Sequence, residues 1–232
     1  MEKLDVLYED NQIVVVIKPQ NVPTMPDESK DEDMLSLVKK YVKEKYNKEG
    51  EAFIGLVHRL DRPTGGVMVF ARNSKAAKRL SEQFAGHDKV EKTYYAVVKG
   101  VLKIKSQKLV NYLKKDEKEN IVKIGPMSES GAKKAELEYC VLEDDGKNTL
   151  VQVKILTGRS HQIRVQMANM GYPLVGDVKY GKERGMTSNL GLWAGKLSFV
   201  HPVSKEKMVF IACPDMSKSP WKNFHIEKYL TR

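Results

Sequence analysis

From His58 to Phe70 the chain reads His58-Arg59-Leu60-Asp61-Arg62-Pro63-Thr64-Gly65-Gly66-Val67-Met68-Val69-Phe70. No other stretch constrains the fold as tightly. An apolar run directly after two glycines reads as a buried strand. The fold must therefore carry a loop with one aspartate and two arginines straight into its core. Glycine lets the backbone turn tightly or pass close to a ligand. Arginine can hold a carboxylate ionised and can also meet phosphate. A loop seated on a core strand is a rigid mount for a reactive group. Asp61 is then either a turn residue or a catalytic one, and local pattern alone favours the turn, because aspartates are far commoner there than as nucleophiles.

With 232 residues and 41% hydrophobic content, the chain can bury one sizeable core, divided or not into two lobes. We read residues 1–232 as a single domain. No apolar run approaches the ~18 residues that a membrane helix needs, and the start, Met1-Glu2-Lys3-Leu4-Asp5, lacks a secretory signal. Cys140 and Cys213 lie in apolar, strand-like runs and read as buried free thiols of a reducing cytoplasm. The histidines His58, His87, His161, His201 and His225 are scattered, so no metal is expected. A net charge of +10 and a pI of about 9.3 suit a polyanionic partner. They equally suit a merely well-solvated surface, and charge alone does not separate the two. A monomer is expected.

Periodicity supplies the elements. Gln12 to Ile17 reads as a strand stopped by Lys18-Pro19. Met34, Leu35, Val38, Tyr41 and Val42 recur at helical spacing, with Asp31 or Asp33 as cap and Gly50 closing the region. A second helix is capped by Asn73 or Ser74, faces inward with Ala77, Leu80 and Phe84, and ends at Gly86. Tyr94 to Val98 is a strand. Leu102 to Pro126 is Lys-rich with little core, an exposed hairpin or loop. Leu137, Tyr139 and Val141, then Val151, Val153 and Ile155, alternate about Asp144-Asp145-Gly146 as an antiparallel hairpin. Ser160 caps a third helix with Ile163, Met167 and Met170 inward and Gly171 as its stop. Strands return at Leu197 to Val200 and Met208 to Ala212. Without regular βαβ alternation, this order predicts an α+β fold: a mixed, largely antiparallel central sheet with flanking helices and loops.

The string HRLDRPTGG at 58–66 resembles the HRLDxxTSG motif of the RluA-type pseudouridine synthases. Lys92-Thr93-Tyr94-Tyr95-Ala96-Val97-Val98-Lys99-Gly100 is similar to that family's KxYxAxVxG segment, and Gly158-Arg159-Ser160-His161-Gln162-Ile163-Arg164-Val165 to its GRxHQIRV segment. Gly171 to Asp177 with Tyr180-Gly181 looks like its G-x-P-I-x-G-D…YG element, Lys18-Pro19 like its KPxG opening, and His201-Pro202 like a late HP step. The motifs fall in the family's order from about Asp5 to Pro214. Gly65 stands where the family has Ser, Gln20-Asn21 replaces a small residue and Gly, and Trp193 replaces a His. Lys18-Pro19 arrives too early for the S4-type RNA-binding module that many members carry, so the chain resembles the catalytic domain alone.

The resemblance implies the pseudouridine synthase catalytic fold and a cofactor-free isomerase that converts uridines of ribosomal or transfer RNA to pseudouridine. It assigns Asp61 to the ribose as nucleophile, base or electrostatic stabiliser, which sequence leaves open. It assigns Tyr94 to stacking on the base and Arg164 to partnering the carboxylate. Breaking the ribose–uracil bond builds positive charge on the sugar, the problem glycosidases also solve with carboxylates. Stacking on one tyrosine returns roughly 1–3 kcal/mol, the scale of the few kcal/mol needed to unstack a base. Arg59 or Arg62 contacts RNA or fills the space left by the flipped base, or else braces the loop; His58, beside them, is counted with them as an RNA-binding residue. Arg159 and His161, at a helix amino-terminus, are an anion site or bracing, and we favour bracing. Lys18 faces RNA or is a plain surface lysine. Tyr95 belongs to the core, since strand neighbours point to opposite faces. The alternative function is a non-catalytic RNA-binding or RNA-chaperone domain of the same fold.

Overall fold

The structure, a computed structural model, describes residues 4–47, 49–86, 89–181 and 189–230; His87 lies outside them. The chain divides into two compact units, Met1–Glu91 with Lys196–Ala212, and Lys92–Gly195 with Cys213–Arg232.

The first unit holds β1 (Asp5–Glu9), β2 (Ile13–Lys18), α1 (Met34–Lys45), β3 (Gly55–Leu56), β4 (Gly65–Ala71) and α2 (Ser74–Gly86). Later in the chain it takes the end of β10 (Leu192–Val200) and β11 (Lys207–Ile211). Antiparallel ladders join β1 to β2, β2 to β4, β3 to β4 and β10 to β11. Every residue of β4 is buried, as are Ile13 to Val16 of β2, because both strands are covered on two faces. That is why their sequences run apolar without alternation. Asp33 caps α1 by accepting the N–H of Ser36, and Asn73 accepts the N–H of Ala76 at 2.8 Å at the start of α2. Two local readings change here. The buried stripe of α2 is Ala76, Leu80 and Phe84 rather than one beginning at Ala77. Helix α1 stops at Lys45, and Asn47 just beyond it takes a left-handed conformation, φ 45°, so the chain turns before Gly50.

The second unit holds β5 (Glu91–Lys99, from Lys92 on), β6 (Ser106–Asp116), β7 (Ile121–Gly125), β8 (Lys133–Asp144), β9 (Asn148–Ile155), α3 (Gln162–Asn169) and the start of β10. Strand order runs β10-β5-β9-β8-β6-β7, and the β5–β9, β9–β8, β8–β6 and β6–β7 ladders are antiparallel. The β8–β9 hairpin forms as its alternation predicts, with Gly146 at φ 79° in the turn. The Lys-rich segment is a hairpin but has more core than its composition suggests. Leu113 of β6 and Val122 of β7 join Ala135 and Val165 in a buried cluster, with Ile124 and Tyr180 against it. Helix α3 is also capped differently. His161, not Ser160, is its N-cap residue, left-handed at φ 52° and with no side-chain cap bond. Gln162 reaches back instead, its side-chain oxygen accepting the N–H of Arg159 at 3.0 Å. Residues Gln162 to Met167 are all buried, so α3 is an internal helix and lacks a clear amphipathic stripe. Tyr95 is a core residue, 1% exposed, donating its hydroxyl to Tyr229 O at 3.0 Å.

Candidate active site

In the first unit, the turn that carries Asp61 closes with the N–H of Thr64 donating to Asp61 O at 2.9 Å. The remaining carbonyls of the loop are taken by side chains from the end of β2 and the segment after it. Thr24 Oγ1 donates to Leu60 O at 2.8 Å. Lys18 Nζ donates to Arg62 O at 3.0 Å and Thr64 O at 2.7 Å, and also to Pro19 O at 2.9 Å. Gln20 Nε2 donates to Pro63 O at 3.0 Å. Each carbonyl from Leu60 to Thr64 thus has a partner. Such complete backbone satisfaction in a loop fixes its geometry, which is what a reacting group needs. Asp61 itself is left partly exposed at the first position of the turn.

This arrangement corrects the surface reading of Lys18. Its side chain is 0% exposed, so it braces the loop from within and presents no cation to RNA. Burial pulls its amine down to about 7, against the upward pull of nearby Asp61. The departure Gln20-Asn21 also gains a reason: Gln20 supplies a loop hydrogen bond, and Asn21 takes the left-handed conformation, φ 68°, that a glycine would take and that asparagine tolerates.

The two arginines beside Asp61 differ. Arg62 is turned onto the 27–31 segment. Its guanidinium donates to Asn21 O at 3.2 Å, Ser29 Oγ at 2.9 Å and Asp31, with Asp27 at 3.6 Å. Arg59 is exposed. His58 is built into the local packing: Nε2 accepts the N–H of Val69 at 3.0 Å, and the ring stacks on Phe84 with centroids 4.5 Å apart.

In the second unit, register sets the face on which Tyr94 lies. Tyr94 pairs with Val153, which pairs with Tyr139. Tyr139 shares its face with Leu137 and Ala135 by strand alternation, and Ala135 is in contact with the α3 cluster. Tyr94 therefore lies on the sheet face that α3 covers, itself 9% exposed. Lys92, two residues earlier on the same face, was not singled out in the sequence; burial pulls its amine down to about 8.

Arg164, 3% exposed, forks onto Asp177: Nε to Oδ2 at 2.8 Å and the terminal nitrogen to Oδ1 at 2.7 Å. Burial works against ionisation of Asp177, but Arg164 and the N–H groups of Tyr180 and Lys179 outweigh it and hold the carboxyl below its usual range. Arg159 Nε donates to Lys134 O at 2.9 Å, and His161 Nδ1 meets Tyr180 Oη at 2.7 Å; both brace the start of α3. Lys18, His58, Arg59, Asp61 and Arg62 thus gather around one loop of the first unit. Tyr94, Arg159, His161 and Arg164 belong to the second. Among the described residues no group of three or more His, Cys, Asp or Glu could hold a metal ion, and no helix is long and apolar enough to cross a membrane.

Residues 12–169 match the family model described as RNA pseudouridylate synthase. The chain is 32% identical over 235 residues to the tRNA pseudouridine synthase C of Vibrio parahaemolyticus, covering 92% of this chain and 91% of that protein. It is 32% identical over 219 residues to the ribosomal large subunit pseudouridine synthase C of Buchnera aphidicola, covering 89% of this chain and 66% of that one. The solved structure of human RNA pseudouridylate synthase domain containing 4 superposes with a TM-score of 0.77 at 22% identity, covering 91% of this chain and 89% of that chain, which establishes the shared fold. The chain belongs to the RNA pseudouridylate synthase family. It spans about two thirds of the length of the first curated relatives it matches.

Proposed function

We propose that this chain isomerises uridine to pseudouridine in structured RNA, ribosomal or transfer, without a cofactor. The observation that carries the reading is the Asp61 loop, which matches the family motif and has every carbonyl from Leu60 to Thr64 engaged. In the reaction the N1–C1′ bond breaks, the uracil turns, and a C5–C1′ bond forms. The C5 hydrogen leaves as a proton and N1 gains one, so product and substrate are isomers. Asp61 acts on the ribose, Tyr94 stacks on the base, and Arg164 is the basic partner of the site. Relatives named for tRNA and for large-subunit rRNA support either RNA class.

The test is tritium release from C5-labelled uridine in transfer and ribosomal RNA lacking the modification. Wild type should release tritium from one pool and Asp61→Ala should release none above background. Equal release by both proteins would remove Asp61 from the reaction. No release by either, with RNA binding intact, would favour the non-catalytic RNA-binding reading.

A further inference from the structure

The proposed reaction leaves the segment Asp177–Gly181 without a role, yet that segment touches Arg164 on two sides. Asp177 takes the guanidinium in a fork and also accepts the N–H of Lys179 at 3.0 Å and of Tyr180 at 3.2 Å. Its carbonyl accepts the N–H of Gly181 at 2.8 Å, closing the turn. A Cβ on Gly181 would stand 2.5 Å from that same carbonyl oxygen, so only glycine lets the turn close this tightly. The turn aims Tyr180 at three groups. Its ring lies 5.2 Å from the Arg164 guanidinium carbon, its hydroxyl accepts the N–H of Val122 on β7 at 2.8 Å, and the same hydroxyl meets His161 Nδ1 at 2.7 Å. His161 holds a left-handed backbone, φ 52°, a conformation costly for a residue with a side chain and sustained only by its surroundings.

We propose that Tyr180 is a positioning residue for Arg164, locked by Val122 and His161 so that its ring and the Asp177 fork together fix the plane of the guanidinium. The proposal rests on the role given above to Arg164. A fork alone leaves an arginine free to pivot about the carboxylate; an aromatic face against it removes that freedom.

The experiment measures kcat and KM for tritium release with Tyr180→Phe, Arg164→Lys and the double variant, and with Gly181→Ala as a second perturbation that keeps the phenol. Tyr180→Phe retains the ring in its cluster and loses both hydrogen bonds of the hydroxyl. It should lower kcat about 10-fold with KM nearly unchanged, as small misplacements in an active site do. The same change in the Arg164→Lys background should cost nothing further, because it acts through Arg164. Gly181→Ala should reproduce the kcat loss. In NMR spectra, the protected Nε–H signal of Arg164 should be sharp in wild type and broadened in Tyr180→Phe, whatever the activity. Equal kcat losses in both backgrounds, a KM effect alone, or an unchanged Arg164 signal would overturn the positioning role. A sharpened-to-broadened change with full activity in Arg164→Lys would instead overturn the role of Arg164 in the reaction, and with it the kinetic half of the proposal.

Discussion

Lys18 shows how much one buried residue can do for a loop. Three carbonyl acceptors suit an ammonium, which alone has three N–H groups, while burial pulls its pKa down to about 7. The unfolded lysine keeps its proton to the ordinary 10.5. From about 7 to 10.5 the unfolded state therefore binds more protons than the folded one, and this group makes stability rise with pH; below that window both states are protonated and the slope vanishes. Urea melts of wild type and Lys18→Met across this range should show a steeper rise for wild type, and parallel curves would contradict the buried titration. Gln20 offers a milder test. Its bond to Pro63 O is a neutral hydrogen bond, worth about 0.5–1.5 kcal/mol. If that energy serves only to hold the loop, Gln20→Ala should lower kcat roughly 2- to 10-fold with little change in melting temperature.

At the scale of elements, close approach of backbone decides what the sequence tolerates. Helix α2 lies so near β3 that a Cβ on Gly55 would meet Ala77 Cβ at 2.8 Å. Gly55→Ala should cost about 1–3 kcal/mol, the usual penalty for overpacking, read as a lowered urea midpoint. The β6–β7 hairpin gives the opposite lesson. Its lysines suggest a polyanion grip in sequence, but some are matched by acids: Lys108 lies 3.2 Å from Glu136 of β8, which also lies 3.2 Å from Lys134 of its own strand, and Lys114 lies 3.0 Å from Glu129. These are exposed pairs of small individual worth. Their consequence is electrostatic, since they spend locally much of the charge that composition assigns to the hairpin.

For the whole molecule, the net charge of +10 predicts RNA binding that weakens as salt rises, and the charge is not equally available everywhere. Replacing the exposed Arg59 by Ala should reduce the salt slope of log K by about 1, the signature of one lost phosphate contact. Lys108→Ala, away from the Asp61 loop on the β6–β7 hairpin, should change it less. Equal effects, measured by filter binding over a salt series, would mean that total charge and not its placement governs binding.

What the sequence determined by itself is what local pattern and motif order encode. The apolar runs made β2 and β4 legible as core strands, alternation made the β8–β9 hairpin legible, and the ordered motifs around Asp61, Tyr94 and Arg164 made the family legible. Tertiary structure decided the rest. It placed Lys18 inside and gave it three carbonyls, turned Arg62 toward Asp27 and Asp31, left Arg59 exposed, and joined Arg164 to Asp177 and Tyr180. It also buried every side chain of α3 from Gln162 to Met167, well beyond the inward Ile163 and Met167 that periodicity predicts, and made His161 rather than Ser160 the N-cap residue. The physical reason is common to these cases. A lysine's burial, or an arginine's choice of carboxylate, depends on partners from 13 to 46 residues away in the chain. The periodicities of strand and helix report only whether an element has a covered face, and never which distant group covers it.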